Sequence, residues 1–66
     1  MNSEYKGHDI VTASEHDDPT GLWNGRYRIL DSKGIVIYES FIEPLNDENE
    51  AHEAAIAAAR DWIDRQ

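Results

Sequence analysis

The chain has 66 residues, no cysteine and a formal net charge of -8 at pH 7. That length has room for one domain, expected over residues 1–66, and the lack of cysteine excludes disulfides and thiolate metal sites. The acidic balance lacks the basic footprint of nucleic-acid-binding proteins. No apolar run approaches the length of a membrane span, and no apolar stretch follows the charged start of the chain. We therefore expect a cytoplasmic protein that binds neither nucleic acid nor membrane.

The first strand is predicted over about residues 5–14. A run of Ile, Val and Thr at 10–12 favours a strand, whereas Gly7 weakens its early part. The preceding residues, 1–4, are expected to be frayed, as chain ends often are. Residues 15–21 combine charges with a proline and a glycine, so they predict a loop.

The second strand is predicted over residues 22–30, where polar and apolar side chains alternate with period two. Its apolar face carries Trp23, Tyr27 and Ile29. Its polar face carries Asn24, Arg26 and Arg28. Gly25 falls on the apolar face, where the lack of a side chain would let another element approach closely.

A hairpin turn and a third strand are predicted next. The Asp-Ser-Lys-Gly segment at 31–34 suits a type I turn with the glycine at positive φ. The third strand is expected over about 35–42, before Pro44. Both of its faces are partly apolar. One face is expected to carry Ile35, Ile37 and Phe41, and the other Val36 and Tyr38.

Residues 47–65 predict an alanine-rich amphipathic helix. Asn46 or Asp47 can cap its start, and Asp47 with Glu50 has the capping-box spacing. Acids crowd the first turn, where the helix dipole favours negative charge. Six alanines between 51 and 59 raise the intrinsic helix propensity.

These elements predict an α+β fold: a three-stranded antiparallel sheet in the order β-β-β-α, with the C-terminal helix packed on one face. Each large apolar side chain of the core contributes roughly 1.5–3 kcal/mol when buried. The expected core residues are Ile10, Val11, Trp23, Tyr27, Ile29, Ile35, Ile37, Phe41, Ile56, Trp62 and Ile63. An antiparallel sheet commonly leaves its second face to water, so a functional surface is expected on the uncovered face.

That uncovered face is predicted to present four residues of interest. Arg26 and Arg28 belong to the second strand, and hairpin pairing would place Val36 and Tyr38 of the third strand beside them. Arginine and tyrosine are favoured as interface anchors, so the four residues form a candidate interaction face. The alternative is that the arginines only keep the sheet soluble and pair with a nearby acid such as Glu39.

Other groups of residues do not predict chemistry. His8, His16 and His52 lie on separate elements without zinc-site spacing, and we expect His52 to be half-buried and hydrogen-bonded on the apolar arc of the helix. The acids near the helix start lack the pattern of a calcium loop. The sequence has neither a serine elbow nor a phosphate-cradling glycine loop. We therefore expect no catalytic, cofactor-binding or metal-binding residues, and we do not expect an enzyme.

Four segments carry a resemblance to a known family: Tyr5–His8, Gly21–Ile29, His52–Ala55 and Ala58–Asp64. A tryptophan-bearing strand followed by an Ala-Arg-x-Trp-Ile-Asp helix resembles a family of short uncharacterised bacterial proteins, a domain of unknown function. The resemblance spans nearly the whole chain. It implies a shared fold and assigns no catalytic or binding residue.

The β-β-β-α order also resembles part of the double-stranded RNA-binding domains. Those domains carry lysines at the start of the last helix, where they meet phosphates. Here that position holds Asp47, Glu48 and Glu50. Because phosphate affinity depends on cations, the resemblance implies a topology and not RNA binding.

Three functions remain open at the level of sequence. The leading one is a small non-enzymatic protein-interaction module, with an unknown protein partner or a homodimer formed through the open sheet face or an edge strand. The second is an acidic decoy or regulator that binds a basic protein surface, with an affinity that falls as salt rises. The third is a small enzyme or ligand-binding protein with no identifiable site.

Overall fold

Residues 2–66, the part of the chain that the computed structural model describes, form a four-stranded sheet and one helix. The elements in chain order are β1 (Asn2–Tyr5), β2 (His8–Asp17), β3 (Leu22–Leu30), β4 (Val36–Phe41) and α1 (Glu48–Asp64). The strands lie in the order β1-β2-β3-β4, and every neighbouring pair is antiparallel. The predicted α+β class, with an antiparallel sheet and one helix, is confirmed.

The prediction of three strands was wrong, because the start of the chain forms a hairpin. The segment expected to be one strand over about 5–14 is split: β1 and β2 pair with Tyr5 opposite His8. Lys6 and Gly7 turn the chain with positive φ angles of 49° and 79°, the two-residue turn whose twist suits a hairpin. Residues 2–4 of the predicted frayed end are therefore paired, and Met1 lies outside the described residues.

The β2–β3 pair supplies the sheet residues of the core. Ile10 lies opposite Ile29, and Thr12 lies opposite Tyr27. All four residues are buried. Directly opposed residues of an antiparallel pair project to the same face, so these four define the face on which the helix packs.

The turn between β3 and β4 follows the prediction from its sequence. Gly34 has a φ of 79°, and its N–H donates to the Asp31 carbonyl oxygen at 3.0 Å. The Asp31 carboxylate oxygen Oδ1 accepts the N–H groups of Lys33 and Ile35 at 2.8 and 3.0 Å. Asp31 thus stabilises the turn with its carbonyl oxygen and its carboxylate, and the carboxylate also binds the first residue after the turn.

An irregularity in β4 follows this turn. Val36 pairs with Leu30, but Tyr38 pairs with Ile29, so Ile37 is an extra residue in β4. This is the geometry of a β-bulge, in which two residues of one strand oppose one of its neighbour. The bulge changes which side chains of β4 share a face.

α1 packs against the sheet through small side chains. Its start is capped by Asp47, whose carboxylate accepts the Glu50 N–H at 3.1 Å. Its buried residues are Ala51, Ala55, Ala59 and Ile63. Gly25 on β3 completes the close contact, since a Cβ there would lie 2.9 Å from the Ala51 carbonyl oxygen. Within the described residues, α1 lacks the length and apolar character of a membrane-crossing helix.

α1 covers the two central strands and leaves much of β4 uncovered. It packs mainly on β2 and β3. A helix with its side chains is about 10–12 Å wide, and neighbouring strands lie about 4.8 Å apart, so one helix spans about two strands. The core prediction was wrong for Ile35, Ile37 and Phe41, which are exposed. Phe41 pairs with Arg26 and therefore lies on the face opposite the helix.

A polar contact ties the β1–β2 hairpin to the end of α1. The Lys6 ammonium lies 2.6 Å from Asp64 Oδ1, and the Tyr5 hydroxyl donates to the same carboxylate at 3.0 Å. The hydrogen bond from Lys6 lowers the pKa of Asp64, and the same bond raises the pKa of Lys6. Both charges are exposed to solvent, so the contact contributes little energy but sets where the hairpin lies.

We expect Gly25→Ala to lower the free energy of unfolding by about 1–3 kcal/mol. The new Cβ would meet the Ala51 carbonyl oxygen and Ile42 Cγ1, each at 2.9 Å, and the backbone oxygen can move only with the helix. Urea unfolding followed by circular dichroism measures the change. Asn24→Ala, one residue away, is the control and should change stability by less than about 0.5 kcal/mol. Equal stability of the two variants would contradict the close helix–sheet contact.

We expect acid to release the β1–β2 turn at Lys6 and Gly7 from the end of α1 while β2 stays packed against the helix. The pKa of Asp64 is lowered from 3.8, so the contact is intact above that pH and is lost as pH falls through the folded-state pKa. At the alkaline end it persists to above pH 10.5, because the pKa of Lys6 is raised from that value. The Gly7 amide resonance, followed between pH 2 and 6 (about the range where carboxylates titrate), should show this step.

The matched controls for the acid step are Asp64→Asn and Asp61→Asn. Asp64→Asn should abolish the step in the Gly7 resonance. Asp61→Asn removes a carboxylate that pairs with Arg65 at 2.9 Å and should leave the step in place. A step that survives in Asp64→Asn would show that another group controls the hairpin.

Candidate functional site

The candidate site is the β4 edge, defined here as residues 35–41. This segment holds five exposed large apolar side chains. They are Ile35, Val36, Ile37, Tyr38 and Phe41, with exposed fractions of 58%, 45%, 42%, 37% and 75%. A long apolar edge strand is an exception among natural sheets, which usually protect their edges with lysine, proline or a covering loop.

The backbone of the β4 edge offers unpaired hydrogen-bonding groups. The Ile42 N–H donates to the Gly25 carbonyl oxygen at 3.0 Å, so Ile42 is oriented toward β3. Orientation alternates along an antiparallel strand. Ser40 and Tyr38 therefore also turn their backbone groups toward β3, and the N–H and C=O groups of Glu39 and Phe41 project away from the sheet.

The uncovered sheet face next to this edge carries two arginines, as predicted, and each is paired with an acid. Arg28 Nε lies 3.1 Å from Glu39 Oε2, and Arg26 Nη2 lies 3.4 Å from Glu15 Oε1. Both pairs are largely exposed, so each contributes at most about 1 kcal/mol. The pairing of Arg28 with Glu39 is the alternative considered from the sequence, and each of the two arginines is thus offset by one acid.

Phe41 lies between two depressions on the uncovered side of the protein. The first, of about 470 Å³, is lined by Val11, Ala13, Arg26, Tyr27, Arg28, Glu39, Ser40 and Phe41. The second, of about 500 Å³, is lined by Asn24, Arg26, Phe41, Ile42, Glu43 and Pro44. Phe41 and Arg26 border both depressions, so the most exposed large side chain of the edge sits at their junction.

The bulge separates the four residues that the sequence grouped together. Val36 pairs with Leu30 and shares the face of Arg26 and Arg28, as predicted. Tyr38 pairs with Ile29, a core residue, and so lies on the helix face. The predicted placement of Tyr38 beside the arginines is therefore not what the fold produces, because the extra residue in β4 shifts the alternation by one.

Tyr38 is held on the helix face by aromatic contacts. Its ring stacks on Trp62 of α1 with 4.7 Å between the centroids and 14° between the planes. Its centroid is 6.2 Å from that of Tyr27. Stacked aromatic pairs contribute roughly 0.5–1.5 kcal/mol beyond the area they bury, so Trp62 extends the cover of α1 toward β4 at this one point.

A polar pair lies inside the helix–sheet layer. Thr12 Oγ1 is 2.8 Å from His52 Nδ1, and Thr12 is buried, so His52 is half-buried and hydrogen-bonded as expected. Two residues further along β2, Ser14 has a buried Oγ that makes no hydrogen bond to any of residues 2–66. An unpaired buried hydroxyl costs about 1–3 kcal/mol.

The other histidines lie apart from this pair and from each other. His16 Nδ1 is 2.9 Å from Asp18 Oδ1, with its ring 5.0 Å from Trp23. His8 Nδ1 lies 3.1 Å from the Lys6 carbonyl oxygen. Among the described residues, His, Asp and Glu side chains do not gather in threes as a metal ion would require.

Phe41 is the site residue that the sequence analysis placed elsewhere. It was assigned to the core with Ile35 and Ile37, because all three follow the alternation of a strand. The available signal was that both faces of the third strand carry apolar residues while the chain supplies only one helix to cover the sheet. The face that Phe41 occupies was set by the extra residue Ile37, which shifts the alternation of β4 by one.

Comparisons of the chain with known protein families, with curated proteins and with solved structures find no match. The resemblances drawn from the sequence motifs therefore remain predictions. The candidate site rests on the geometry of the β4 edge.

We expect Ser14→Ala to leave the free energy of unfolding unchanged or to raise it by up to about 1 kcal/mol, because it removes a buried hydroxyl without a partner. Thr12→Val is the contrasting variant. It removes the partner of His52 and should lower stability by about 1 kcal/mol. Urea unfolding at neutral pH measures both. A loss of stability in Ser14→Ala would show that its hydroxyl is hydrogen-bonded in solution.

Proposed function

We propose that this protein is a small non-enzymatic protein-interaction module that binds an extended polypeptide strand along the β4 edge. The observation that carries the proposal is the coincidence, in one edge strand, of five exposed apolar side chains with outward backbone groups at Glu39 and Phe41. In strand addition, main-chain hydrogen bonds provide affinity and alternate side chains provide specificity. The β4 edge has both components.

The side chains of the edge fit such binding on both faces of the sheet. Val36 and Phe41 lie on the face of the arginines, and Tyr38 lies on the helix face. Side chains of an added strand would alternate between these two faces. The depressions that flank Phe41 would receive the side chains that fall on the uncovered face.

The charge at the edge favours an apolar partner over a strongly charged one. Glu39 is the only acid or base within residues 35–41 apart from the tyrosine hydroxyl, and Arg28 neutralises it. Binding through this surface is therefore expected to depend weakly on salt, since screening acts on unpaired charge. A binding reaction that weakens steeply with salt would instead favour the acidic-decoy function.

A peptide-display selection tests the proposal without a known partner. Random peptides are selected on the immobilised wild-type protein and depleted on Ile37→Lys, which places a charge on the edge. We expect enriched peptides to carry alternating apolar residues and, when added to labelled protein, to shift the amide resonances of residues 35–41 and the Trp62 indole. No enrichment over the depleting variant, or shifts confined to the acidic helix start, would contradict the proposal.

Phe41→Ala should separate binding from folding. The side chain is 75% exposed, so its removal should change the free energy of unfolding by less than about 0.5 kcal/mol. The affinity for a selected peptide should fall by about tenfold or more, as expected for an aromatic anchor. Ile63→Ala is the control, since that residue is buried and its loss should cost about 2–5 kcal/mol of stability. Unchanged peptide affinity in Phe41→Ala would remove Phe41 from the site.

A further inference from the structure

We infer that the β4 edge binds a second copy of this chain, joining two four-stranded sheets into one continuous antiparallel sheet. The inference rests on the proposed function and names its partner. The copies would be related by a two-fold axis perpendicular to the sheet beside β4. Both helices would then lie on the same face, each over its own central strands.

The backbone of β4 is self-complementary for this pairing. The backbone N–H and C=O groups of Glu39 and Phe41 project away from the sheet. They alternate along β4 with the residues whose backbone groups bond to β3. A two-fold axis presents the same outward groups of the second copy in the opposite chain direction, as an antiparallel ladder requires. The same surface patch thus serves both copies.

The local charge permits two copies to meet although each carries a net charge of -8. The one acid of the edge, Glu39, is paired with Arg28 at 3.1 Å. The larger groups of acids belong to other elements, the helix start at 47–50 and the end of β2 with the first loop residue at 17–18. Salt screens these acids, since the Debye length is about 8 Å at physiological ionic strength. A neutral apolar strip therefore matches its own copy better than it matches a basic partner.

The exposed apolar area is of the size that a dimer needs. The five side chains of the β4 edge together expose on the order of 400–500 Å² per copy, given their exposed fractions and the usual areas of large side chains. This exposed area is the upper limit of the apolar side-chain contribution, to which the paired backbone adds, and a specific interface buries roughly 1,000 Å² or more in total. A chain this small also buries only about 60% of its surface when it folds alone, so association stabilises it by mass action.

Sedimentation equilibrium over a concentration series tests the inference. The wild-type chain is expected to convert from monomer to dimer as its concentration rises to about 500 µM, a range that covers micromolar and weaker affinities. Ile37→Lys should remain monomeric, because it puts an ammonium group on each copy into an apolar edge that pairing would desolvate. Asn2→Lys adds the same charge to the other edge strand, β1, and should dimerise like the wild type. Raising NaCl from about 50 to about 500 mM should leave the dimer intact or strengthen it.

Amide hydrogen exchange measures directly whether the backbone of the β4 edge is paired. The Glu39 and Phe41 amides should exchange at least about tenfold more slowly at high than at low protein concentration, since pairing covers them. The Ser40 amide, already turned toward β3, should change little. This measurement does not depend on the folding of any variant.

The outcomes distinguish the inference from the proposed function. A wild-type chain that stays monomeric, a dimer that survives Ile37→Lys, or a dimer that salt dissociates would overturn self-association through β4. Peptides that still bind the β4 edge of a monomeric chain would leave the proposed function standing with a different partner. Failure of both the peptide selection and the dimerisation would overturn both.

Discussion

The close contact between α1 and the two central strands is the interaction on which the rest of the structure depends. Alanines at 51, 55 and 59 and the glycine at 25 bring the helix backbone against the sheet. A helix about 10–12 Å wide covers about two strands spaced about 4.8 Å apart. The core is consequently narrow and lies over β2 and β3, and the outer strands must be held by other contacts.

The two outer strands are held in different ways. β1 is tied to the end of α1 by exposed polar contacts of Tyr5 and Lys6 with Asp64. β4 is joined to β3 by the Asp31 turn and touches α1 through the Tyr38–Trp62 stack. The stack covers part of Tyr38 only, so β4 keeps exposed apolar surface that a partner could cover. The proposed function and the incomplete burial of β4 thus have the same physical origin.

Much of the fold could be predicted from local patterns because those patterns act over a few residues. The period-two alternation marked β3, the Asp47–Glu50 spacing marked the helix start, and Asp31 with Gly34 marked the turn. The Lys6–Gly7 hairpin was missed because positive φ at lysine is uncommon and gives no strong sequence signal. The candidate site was harder to predict, since Arg26, Arg28 and Val36 lie on the expected face but Tyr38 does not.

By itself, the sequence determined β3, the turn at 31–34 and the helix, and it showed that the chain is acidic and has few large apolar side chains. Only the tertiary structure decided which strand the helix leaves bare and which face each side chain of β4 occupies. The first depends on the relative widths of a helix and a sheet, and the second on a single extra residue, Ile37, in the pairing with β3. The position of the uncovered strand and the facing of the β4 side chains both depend on how separate elements pack and pair. The alternation of residues within one strand does not report on either.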